Sequence, residues 1–95
     1  MVFPKNGDDN LPGKISGQER EIFAQAYRFF EAHCDPPANQ DESAVDWWMT
    51  TVQMMGDLSA KWKNHKLMDV LLTAVLEYIE YKAKEKTKEL EEFVL

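Results

Sequence analysis

Two apolar seams run along residues 67–95, and they limit the possible folds more than any other feature of the chain. Leu67, Leu71, Ala74 and Tyr78 recur at alternating steps of four and three residues. Leu72, Leu76, Ile79, Ala83, Leu90 and Phe93 form a second series, interrupted by Lys86. At about 100° per residue the two series lie roughly a third of a turn apart on one helix. A helix with two apolar faces needs two neighbours, and one of them can be another molecule.

Upstream, the same period recurs twice. Ser16-Gly17-Gln18-Glu19 has the spacing of a capping box, in which serine and glutamate satisfy each other's orphan amides. A helix over about 18–34 follows, with Ile22, Phe23, Ala26, Tyr27, Phe29 and Phe30 on one arc. Asp35-Pro36-Pro37 ends it, because a residue before proline resists the helical region. A second helix over about 43–62 carries Ala44, Val45, Trp48, Val52, Met55, Leu58 and Trp62 on its apolar arc. Gly56 costs about 1 kcal/mol in a helix interior, yet the pattern runs through it. Lys63-Asn64 is the expected turn, with Asn64 capping a third helix over about 65–92. No proline enforces that break, so one continuous helix over 43–92 is the alternative. Residues 1–17 hold three of the four glycines and two of the four prolines and read as an irregular arm. No stretch has a strand period. The expected fold is all-α: a single domain forming a compact three-helix antiparallel bundle, with an irregular N-terminal arm and a long C-terminal helix. Its expected core is Phe23, Tyr27, Phe30, Trp48, Val52, Met55, Leu71, Val75 and Tyr78.

Composition narrows the function. With 95 residues and a formal charge of −6, the chain is poorly suited to neutralising phosphates, which disfavours general nucleic-acid binding and docking on anionic membranes. No apolar run is long enough to span a bilayer, and the N-terminal residues lack the pattern of a signal peptide. Cys34 is the only cysteine and cannot form an internal disulfide, which fits a cytoplasmic setting. His33-Cys34-Asp35 places three metal-capable side chains in sequence, but consecutive helical residues point about 100° apart and cannot converge on one ion. The plainer reading puts His33 at a helix C-terminus, where its charge suits the dipole, and makes Cys34 structural. No phosphate loop, zinc-protease motif or serine elbow is present. No enzyme activity, cofactor, metal or small-molecule substrate is expected.

What remains points to contact. Trp47, Trp48, Met49, Met54, Met55 and Met68 are residue types that serve both cores and adaptable binding surfaces. The expected role is a protein–protein interaction or accessory module, with a homodimer somewhat favoured over a different protein partner. Trp47, Met54, Leu76, Ala83, Leu90 and Phe93 are its candidate contact residues. The third helix, roughly 40 Å long, should outrun neighbours of about 25–30 Å. Its second seam is then covered either by the arm, through Phe3, Leu11 and Ile15, or by a second copy. Lys86 in that seam resembles a polar residue that fixes register in a coiled coil. The alternative role is a nucleic-acid-associated regulator using Lys61, Trp62, Lys63 and Lys66, the one basic cluster, which includes an aromatic ring.

Overall fold

A computed structural model describes residues 14–94, with the side chains of 93 and 94 outside that description. Among the described residues there are three helices: α1 Gly17–His33, α2 Ala44–Lys61 and α3 Lys66–Val94. The expected all-α bundle is what forms, and α2 and α3 are separate helices. Val2, Phe3 and Leu11 lie outside the described residues, as does the expected packing of the arm.

Local chemistry sets each boundary. Ser16 Oγ accepts from the Glu19 amide at 3.1 Å, and Glu19 Oε1 accepts from the Ser16 amide at 3.0 Å, completing the capping box. Before α2, Asp41 Oδ1 accepts from both the amide and the hydroxyl of Ser43, at 2.8 and 2.7 Å. The α2 terminus closes in a Schellman motif: the Lys63 amide reaches Ala60 O and the Asn64 amide reaches Ser59 O, both at 2.9 Å. Lys63 and Asn64 take φ of 54° and 57°, the left-handed conformation this closure requires. That conformation overturns the expected cap of α3. A helix cap needs extended backbone, which Asn64 does not have. Its Oδ1 instead accepts from Ser59 Oγ at 3.0 Å, and His65 Nδ1 accepts the Leu67 amide at 3.1 Å.

Cross-helix contacts fix the directions. Trp62 at the end of α2 donates its indole N–H to Gln25 Oε1 at 2.9 Å, while Trp47 near its start meets His33 with ring centroids 6.0 Å apart. So α2 runs antiparallel to α1. Phe30 meets Tyr78 at 6.0 Å and the Lys82 ammonium donates to the Cys34 carbonyl, so α1 and α3 run parallel.

The core differs from the sequence reading by about a third of a turn. Ile22, Ala26 and Phe29 pack with Met68 and Leu72, and the seam continues through Ile79 and Ala83, all buried. This is the second seam, the one expected to serve association. Of the expected core, Phe23 is 50% exposed, Tyr27 62%, Val52 50% and Tyr78 51%. Phe30, Trp48, Met55, Leu71 and Val75 are half-buried. Axial separation depends on the side chains at the contact, and Ala26, in the cluster with Met68 and Leu72, admits an approach that facing rings would prevent.

The segment 34–43 closes the far end of the bundle. Pro36, Ala38 and Ala44 are buried there. Lys86 Nζ pairs with Asp35 Oδ1 at 2.7 Å and donates to the Pro36 carbonyl. Thr87 Oγ1 accepts from the Asn39 amide at 2.8 Å, and Gln40 Nε2 donates to the Thr87 carbonyl at 3.1 Å. Lys82 satisfies the carbonyl of the residue that caps α1, and the Lys82 and Lys86 ammonium groups both lie by the C-terminal end of that helix, a charge placement that suits its dipole. Lys86 is an internal strut here, tied to the segment that follows α1. The expected overhang of α3 is correspondingly shorter, because this segment covers it as far as Thr87.

Candidate interaction surfaces

Displacing Phe23, Tyr27 and Tyr78 from the core concentrates apolar surface on the outer face of the α1–α3 pair. Phe23 and Tyr27 stand one turn apart on α1. Ile15, Phe23 and Leu67 line a shallow recess at one end of this face. At the other end Tyr78 meets Phe30, and stacks on Tyr81 with centroids 6.2 Å apart. The Lys82 ammonium lies 6.0 Å from the Phe30 ring and 5.8 Å from the Tyr78 ring, where the ring quadrupoles attract it. Ile15, Val70 and Tyr81 are 51%, 49% and 57% exposed.

A groove of about 470 Å³ separates α1 from α2, with Phe29, Ala32, Met54 and Leu58 along it and Arg28 and Lys61 among its polar walls. Met54, one of the candidate contact residues, is 45% exposed on this groove. Trp47, another candidate, sits against His33, itself a lining residue, and is half-buried. The two therefore share one side of the molecule. A third apolar strip faces outward from α2 through Val45, Met49 and Val52. The helical period puts Val45 and Val52 on the apolar arc expected to pack inward. Their spacing alone could not reveal the mismatch, because α2's apolar arc exceeds what its neighbours cover.

The other candidates are scattered. Ala83 is 2% exposed and lies in the core, so it is not available to a partner in this fold, and Leu76, about two turns earlier on the same seam, is half-buried. Leu90 is 44% exposed on the last turns of α3, and the Phe93 side chain lies outside the description. In the basic cluster, the Trp62 indole and the Lys61 ammonium both donate to Gln25 Oε1, at 2.9 and 3.2 Å. Trp62 is half-buried against the core, while Lys63 and Lys66 are exposed. The ring that would stack on a base is thus engaged within the bundle.

His33 and Cys34 have structural partners. A carbonyl only accepts, so the His33 Nδ1–H donates to Phe29 O at 2.8 Å, and the ring packs on Phe29 with centroids 4.6 Å apart. The Cys34 thiol reaches the Glu31 carbonyl at 3.5 Å. Among the described residues no three His, Cys, Asp or Glu side chains gather as a metal site. Among the same residues no helix is long and apolar enough to cross a membrane. Comparison with protein families, curated proteins and solved structures returns no match to this chain.

Proposed function

We propose that this chain is a protein–protein interaction module that works through apolar faces its own three helices leave uncovered. The observation that carries this reading is the exposure of Phe23, Tyr27, Tyr78 and Tyr81 on one side, with all four rings at least half accessible. Isolated exposed apolar residues are ordinary, but a contiguous patch of aromatic rings marks a contact site. Tyrosine and tryptophan also concentrate binding energy at interfaces. The α1–α2 groove bearing Met54 is a second surface of the same kind, with an apolar floor and charged walls.

The test is capture of partners from the native source by the full chain and by Tyr27→Glu and Met54→Glu variants that retain wild-type helicity. The proposal expects a specific protein, a second copy included, to be retained by the wild type and lost with one of the variants. Salt-dependent retention on DNA with no protein partner would replace it with the nucleic-acid reading.

A further inference from the structure

We infer that the partner of the α1–α3 face is a second copy of this chain, packed across it antiparallel about a two-fold axis. The inference rests on the interaction reading above and specifies the occupant and its orientation. Area supports it first. A half-exposed Phe or Tyr offers roughly 100 Å², so the four exposed rings offer about 400 Å². Ile15, Val70, Leu71 and Ala74 extend the patch to about 600 Å², at or beyond the largest patch a typical monomer shows. A stable dimer needs about 800 Å² per partner, and a rim of charged side chains supplies the remainder. The α2 strip, with three exposed apolar side chains, offers only about half as much apolar area.

Charge supports it second, and fixes the direction. Arg20 and Glu31 are exposed at opposite ends of the α1 side of this face. They are 11 residues apart. Eleven residues are close to three whole turns, so the two side chains lie on one side of the helix. In an antiparallel pair α1 lies on the partner's α1, and each Arg20 meets the partner's Glu31. The same register sets the small Ala24 opposite the partner's Tyr27, leaving room for the ring. On α3 the end that receives Arg20 carries Glu85 together with the Lys82 ammonium, which offset each other, so the direction rests on the Arg20–Glu31 pairs. A parallel pair would bring like ends together and offers no such match. Self-complementarity of one patch is what a closed two-fold dimer requires.

Sedimentation equilibrium of the full chain, from low to high micromolar, tests this. The wild type should reach twice the monomer mass. Tyr27→Glu and Tyr78→Glu should each weaken association at least 10-fold with helicity unchanged. Met49→Glu, on the opposite α2 strip, should leave it intact. Arg20→Glu should weaken it, and Arg20→Glu combined with Glu31→Arg should restore it. A wild type that stays monomeric at high micromolar concentration overturns the inference, as does a dimer broken by Met49→Glu but not by either tyrosine variant. Failure of the charge swap to restore association overturns the antiparallel arrangement. If the chain is monomeric yet Tyr27→Glu loses a different captured protein, the interaction reading stands and only the self-association fails.

Discussion

Lys63 and Gly56 occupy positions whose backbone and side-chain demands run against each other. Lys63 sits at φ 54°, where a Cβ crowds the following carbonyl, because the Schellman closure of α2 needs a left-handed residue just past the helix. Glycine meets that need without the clash. Lys63→Gly should therefore raise stability by about 1 kcal/mol in denaturant unfolding, with the helix boundaries unchanged. Gly56 is the converse. It lies inside α2, and a Cβ built there meets nothing within 4 Å. Gly56→Ala should stabilise by about 0.5–1 kcal/mol, by removing backbone freedom from the unfolded chain. A loss of stability would mean that this part of α2 is not a regular helix. Asn64, beside Lys63, tolerates its own left-handed backbone better than most residues, which is why a turn without glycine or proline still forms here.

At the scale of elements, carboxylates hold the ends together. Lys86 beside Asp35 holds that carboxyl below its ordinary range. Hydrogen bonds from the backbone and side chain of Ser16 do the same for Glu19, and those from Ser43 for Asp41. Each group binds its proton more weakly in the folded chain than in the unfolded one. Their contribution is therefore complete above the ordinary carboxylate range near pH 4 and is lost as pH falls through the lowered folded values. Melting temperature should hold level through neutral pH and fall below about pH 4. Asp35→Asn should melt below the wild type at pH 7 and converge with it near pH 2.5. Equal separation at both values would show that the Asp35–Lys86 contact contributes nothing through charge. These groups are solvent-exposed, so each effect is small and is best read as a difference between variants. Capping boxes and proline stops are written in contiguous residues, which is why the start and end of α1 were legible. The role of Lys86 was not, because its partners Asp35 and Pro36 are about 50 residues away in the chain.

Across the whole molecule, the decisive variable is the rotation of each helix about its axis. Ile79→Ala, in the buried seam, should cost roughly 2–5 kcal/mol. Val52→Ala, at a position 50% exposed, should stay within about 0.5 kcal/mol. Chemical denaturation of both variants at low micromolar concentration distinguishes the observed register from the one with Val52 inside. Helix count, helix limits to within two residues and the all-α class follow from the sequence alone, because period, caps and breakers act over a few residues. The sequence also identifies two seams on α3, and both exist. Which seam packs inward was decided only in three dimensions, because seams of similar hydrophobicity differ in the fit of their side chains to a neighbouring helix. On α1, Ala26 in the buried cluster permits close approach to α3, while the rings of Phe23 and Tyr27 on α1 and Tyr78 on α3 are left on the surface.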